Sequence, residues 1–160
     1  MTPSMLGKAM MLAFATVLLA SPAAGRDLLG AWQGWAAFRD RDPPRCYAIA
    51  RTPRAPRGFV AVAHFPGRQR AVRVHLSRPV APGAPVRLTV DDRAIILPAT
   101  GQEARGANAH ADAAIIAAMR TGETLRIDAT GTDGRRFRDA YALGGAASAI
   151  DAATLACPAR

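Results

Sequence analysis

Short apolar segments parted by turn residues at roughly 8–12-residue spacing run through most of this 160-residue chain. That rhythm favours a sandwich or a barrel over a bundle of helices. Phe59 to Phe65 is apolar at nearly every position, as a strand buried on both faces would be. Val72, Val74 and Leu76 alternate with Arg73, His75 and Ser77, so the first set points inward and the second outward. Val86 to Val90 repeats that alternation, and Asp91-Asp92 turns the chain into Ala94 to Leu97, which predicts a hairpin. Leu125 to Ala129 and Phe137 to Leu143 read as strands joined by Thr132-Asp133-Gly134. Nearer the start, Trp32 to Phe38 reads as a first aromatic strand, broken by Asp42-Pro43-Pro44, and Cys46 to Ala50 as a second. Between it and Phe59 lies a polar loop rich in proline and arginine, Arg51 to Arg57.

Two segments change period. Ala111, Ile115, Ile116 and Met119 fall at helical spacing, which predicts a short helix over 109–121. Asp112 in its first turn and Arg120 in its last complement the helix dipole, and Gly122 is expected as a left-handed stop. A second short helix is expected over 146–156, with Ser148 and Asp151 as its capping box.

The compartment is written at the N-terminus. Lys8 precedes the apolar run Ala9 to Ala20, and the small residues Ser21 to Gly25 lead into Arg26-Asp27. A positive start, a short apolar core and a small-residue exit predict a secretory signal peptide, residues 1–25, with Ala23 as the other cleavage position. No cysteine follows either site, so no lipid-modified N-terminus is expected. What remains, residues 26–160, is the length of one domain. It holds no second apolar run of transmembrane length. Export also decides how the cysteines are read. Cys46 and Cys157 are the only two, and in an oxidising periplasm such a pair is most simply a disulfide. Buried thiols and a metal site are the alternatives, the latter needing two further ligands.

Formal charge is +9, and every basic residue except Lys8 is arginine. Clusters stand at Arg39/Arg41/Arg45, Arg51/Arg54/Arg57, Arg68/Arg70/Arg73 and Arg135/Arg136/Arg138. One reading is a surface that draws anions such as lipid head groups or lipopolysaccharide phosphates; the other is a merely solvated face. Nucleic acid is not an expected partner. Arg57-Gly58-Phe59 starts like an RNA-recognition strand, but Ala61 and His64 stand where stacking aromatics would be needed.

A recognisable order of segments adds to this. Trp35-Ala36-Ala37-Phe38 is followed by Cys46-Tyr47-Ala48, then by Ala111 to Arg120 before Gly122. Asp139-Ala140-Tyr141-Ala142-Leu143-Gly144-Gly145 and an alanine-rich stretch ending at Cys157 complete it. Together they resemble the invasion-associated locus B family of exported bacterial proteins, over most of residues 32–157. The resemblance implies an immunoglobulin-like β-sandwich and a periplasmic or secreted location. It implies no catalytic residues. Many members carry another cysteine near a tryptophan in the first strand region; this chain has none there, which removes a second disulfide.

Candidate sites are few. Phe137, Asp139, Tyr141 and Leu143 share one strand face, so a carboxylate points at the core, where it needs an arginine or backbone N–H groups. Asp139 is therefore a candidate buried polar anchor, or the acid of a cleft. Arg51, Arg54 and Arg57 are candidate anion contacts. Trp32 and Trp35, three apart on the expected strand, point to opposite faces, which makes them candidate aromatic contacts. His64, His75 and His110 are scattered, and neither Ser77 nor Ser148 has an activating base nearby in sequence. No nucleophile elbow, phosphate-binding glycine loop or zinc-protease signature is present. The expectation is an exported, non-enzymatic binding or envelope-associated protein, without cofactor or metal. Its partner would be an anionic lipid or lipopolysaccharide, or a periplasmic protein. The competing expectation is a hydrolase or glycan-acting enzyme using Asp139 with a histidine. A third is a small chaperone or inhibitor that pairs an exposed sandwich edge with a client strand.

Overall fold

Residues 25–54 and 56–158 are described by a computed structural model. The expected signal peptide lies outside them, apart from Gly25. Strands β1 (Arg26–Trp32), β2 (Trp35–Arg41), β3 (Pro44–Arg51), β4 (Phe59–His64) and β5 (Ala71–His75) run in sequence. They continue with β6 (Val86–Val90), β7 (Arg93–Leu97), β8 (Ala99–Thr100) and β9 (Glu103–Arg105). Helix α1 (Ala109–Thr121), β10 (Thr124–Thr130), β11 (Arg136–Ala142) and α2 (Ala146–Ala156) complete the chain.

Two antiparallel sheets form, one of seven strands in the order β1-β2-β3-β4-β5-β9-β8 and one of four in the order β11-β10-β6-β7. The expected all-β sandwich with two short helices is the observed fold. The large sheet is a meander through β5, because each strand turns straight back on its neighbour. Side-chain alternation builds the core. Trp35, Ala37, Ala48, Val60, Val62, Val72 and Val74 from the large sheet join Leu88, Leu125, Ile127 and Tyr141 from the small one in a single buried cluster. Ile115, Met119 and Ile150 bring both helices into it. None of the described helices is long and apolar enough to cross a membrane.

Cys46 and Cys157 are bonded, 111 residues apart in sequence and 5.8 Å between Cα atoms. The bond fastens the end of α2 to β3, so the thiol and metal alternatives fall away. Helix α2 presents mainly small side chains, Ala146, Ala149 and Ala153 with Ile150, to the large sheet. Small residues allow close approach but remove little apolar area from water per turn.

Four details depart from expectation. Trp32 to Phe38 is no single strand. Gln33 and Gly34 turn the chain between β1 and β2, Gln33 at φ 51°, so Trp32 and Trp35 pair directly across the hairpin. Gly122 is extended rather than left-handed; glycine is needed there because a Cβ would stand 2.6 Å from Val90 Cγ1. The Ser148–Asp151 capping box does not form. Helix α2 begins after Gly145, which adopts φ 85° with no side-chain cap, and Ser148 lies inside the helix. Asp112 does more than face the dipole of α1. It is buried and its Oδ1 accepts the Val72 N–H at 3.0 Å, tying the helix to β5, while Asn108 caps the helix by accepting the Ala111 N–H at 2.9 Å.

Candidate functional site

The end of β4 is where polar and apolar groups meet. β4 runs antiparallel to β3 and β5, so the 52–58 loop and the 65–70 loop leave opposite ends of the sheet. At the second end α1 and α2 lie on the inner face, and the Cys46–Cys157 bond holds the tail of α2 beside them. A groove of about 720 Å³ opens between these parts, with the buried His64 and Ile116 at its base and the more exposed Arg68, Arg70, Arg120 and Asp151 on its rim. That volume is of the size that encloses small ligands.

The three rim arginines differ. Arg120 Nη1 donates to Asp151 Oδ1 at 2.6 Å and Nη2 to Oδ2 at 3.2 Å. This pairing holds the Asp151 carboxyl below the usual carboxylate range and fixes the Arg120 fork as part of the wall. Arg68 and Arg70 are exposed and take no part in the ion pairs among the described residues. Two guanidinium groups are thus left to face solvent at the mouth.

His64 is 4 % exposed, and its Nε2 is buried without a hydrogen-bond partner. Burial, aided by the positive charge of Arg70, pushes its pKa from 6.5 down to about 4. The folded protein therefore holds this imidazole neutral at pH 7. Because the unfolded chain takes up the proton first, stability is full above pH 6.5 and falls as pH drops toward 4. The loss should total roughly 3 kcal/mol. Asp27, Asp40, Asp91 and Asp151 are lowered from 3.8, so their contributions are lost only below that value. Denaturant midpoints measured across the interval from 6.5 to 4 should slope in the wild type and be flat in His64→Gln.

Asp139 is buried at 3 % exposure, on the expected inward face with Tyr141. Its partner is neither an arginine nor a histidine: Oδ2 accepts the Ser77 N–H at 2.8 Å. Gly58 leaves room for it, since a Cβ there would lie 2.9 Å from that oxygen. Tyr141 Oη nearby is buried without a partner, and burial together with the Asp139 charge raises its pKa. The Asp139–histidine pair of the hydrolase reading is not formed among the described residues. His75 instead has its Nδ1 on Glu103, and His110 is exposed at the start of α1. Asp139→Ala would strand the Ser77 N–H and should cost about 1–3 kcal/mol in thermal or denaturant unfolding, whereas Asp139→Asn keeps an acceptor and should cost less.

The tryptophans divide. Trp35, expected as a contact residue, is 1 % exposed and donates its Nε1–H to the Ala142 carbonyl at 2.9 Å, so its face is core. Trp32 is half-buried and folds over Gly30, where a Cβ would meet its ring. Arg51, Arg54 and Arg57 are all exposed at the far end of the sheet from the groove. No three His, Cys, Asp or Glu side chains converge as a metal site among the described residues. No motif in the sequence marks the groove itself. Its one sequence signal is a histidine closing an otherwise apolar strand.

A solved structure shares this architecture. Invasion associated protein B from Bartonella henselae matches with a TM-score of 0.62 at 16 % identity, over 79 % of this chain and 96 % of that one. At that identity the likeness is one of fold. No protein-family model matches the sequence, and neither does any curated protein.

Proposed function

We propose that this is an exported, envelope-associated binding protein without enzymatic activity, whose arginine surface meets an anionic partner such as a lipid or lipopolysaccharide head group. One observation carries the reading. Arg51, Arg54, Arg57, Arg68, Arg70 and Arg73 are all exposed and unpaired among the described residues. Exposed guanidinium groups outside any ion pair keep their donors for phosphate or carboxylate oxygens. Export is supported by the long-range disulfide, which suits an oxidising compartment, and by the N-terminal sequence. The shared fold with a protein named for invasion is in keeping with a place outside the cytoplasm.

Vesicles containing phosphatidylglycerol should bind the protein at low salt and release it as ionic strength rises, while phosphatidylcholine vesicles should not bind. Arg51→Gln/Arg54→Gln/Arg57→Gln should weaken that binding roughly tenfold or more. Equal binding to both vesicle types, or none at low salt, would overturn the reading.

A further inference from the structure

We propose that the groove between α1, α2 and the 65–70 loop is a binding site for a phosphate-type oxyanion carried on a small ligand with an apolar part. The proposal rests on the anionic-partner reading above and gives it a specific site. Three independent features converge there. The first is charge. Arg68, Arg70 and Arg120 set three guanidinium groups against one carboxylate, Asp151, which is hydrogen-bonded to Arg120 and also feels the charge of Arg70, so the groove keeps an excess of positive charge.

The second is an unmet hydrogen bond. His64 lines the groove, is almost wholly buried and leaves Nε2 without a partner, in a protein where only Tyr141 Oη shares that condition among the described residues. A buried polar atom left unmatched in a native structure calls for a ligand, ion or water to complete it. Nε2 is closed off from solvent, so an oxyanion must part the groove lining to reach it; a neutral imidazole with its proton there can then donate, and Arg70 is near enough for its charge to act on the ring. The third feature is shape. Ile116, Ala113 and Ala117 give α1 an apolar wall beside the arginines, so the cavity suits a head group with carbon attached better than a bare ion.

Whether that head group comes from a lipid or from a soluble phosphate ester is separable by experiment. The full oxidised protein is titrated with inorganic phosphate, and separately with dihexanoyl phosphatidic acid below its micelle concentration. Ring ¹⁵N and ¹H signals of the histidines are followed at constant ionic strength and pH, with chloride as the control. Both ligands should shift the His64 signals saturably toward the Nε2–H tautomer, leave His75 unmoved, and the lipid should bind more tightly. Arg70→Gln and Arg68→Gln/Arg70→Gln, both at exposed positions, should weaken binding at least about tenfold. His64→Gln should weaken it too, and the arginine variants carry the test if that one fails to fold.

A His64 signal that ignores both ligands overturns the site. Phosphate binding without any gain from the lipid chains overturns the apolar half of the proposal. The triple variant Arg51→Gln/Arg54→Gln/Arg57→Gln, at the opposite end of the sheet, should leave the His64 response unchanged. If vesicles still bind while His64 stays silent, the groove is wrong and the envelope reading survives. If vesicles never bind yet phosphate moves His64, the groove stands without that reading.

Discussion

Replacing Cys46 and Cys157 together with alanine should lower the unfolding free energy by about 2–5 kcal/mol. The bond closes a loop of 111 residues, so its loss returns a large conformational freedom to the unfolded chain. The folded state suffers as well, because the face that α2 packs on the large sheet is mostly alanine and buries little apolar area per residue. Its buried face is three alanines and one isoleucine, and the helix has no side-chain cap at its start. Arg120–Asp151 is a surface pair, half exposed on the Asp151 side, and contributes little. Reduction should therefore lower hydrogen-exchange protection in α2 before it lowers protection in β10, which lies between two hydrogen-bonded neighbours. Equal and unchanged protection in both elements after reduction would contradict this account. Because α2 forms one wall of the groove, the reduced protein should also lose the His64 response to phosphate.

Trp35→Ala should cost about 3–5 kcal/mol, enough to bring a domain of ordinary stability close to unfolding at room temperature. Trp35 belongs to the large sheet, yet its Nε1–H reaches the carbonyl of Ala142 at the end of β11 in the small one, 107 residues away. Its ring is almost fully buried in the shared core. Truncation would thus open a cavity between the layers and strand a carbonyl at once. Trp35→Phe separates the two effects. It keeps most of the apolar volume but cannot donate, so it should cost clearly less than the alanine variant while still falling below wild type. Urea unfolding of the three proteins at neutral pH gives the comparison. Near-equal stability of wild type and Trp35→Ala would mean that the ring is not the bolt between the sheets.

The parts of the fold legible in the sequence are those governed by neighbours along the chain. Val86 to Val90 alternates because the pleat has a period of two, and the Asp91-Asp92 turn follows it directly; the hairpin is found at that place. Ile115, Ile116 and Met119 mark α1 because a helix returns to the same face every three or four residues. The Trp32–Trp35 hairpin is masked in the sequence for a local reason too. Its turn uses Gln33 at positive φ rather than the asparagine or aspartate that usually signals one, and a register shift between Leu28 and Gly30 breaks the alternation of β1.

Asp139 marks the boundary between the two kinds of information. Its inward direction follows from strand parity, but its partner, the Ser77 N–H, lies 62 residues away and could not be named from the chain alone. The groove lies wholly beyond that boundary. Arg68 and Arg70, read along the sequence, are only a basic cluster, and His64 is only the last residue of an apolar strand. They line one groove with α1 and α2 because the sheet brings the end of β4 beside the helices and a disulfide pins the tail. By itself the sequence determined the periodicities, the turn chemistry, the cysteine pair and the excess of arginine, since each depends on residue type and short-range geometry. Tertiary structure alone decided which charges go unpaired and which polar atom is buried without a partner, because burial and pairing depend on what packs against a residue from distant parts of the chain.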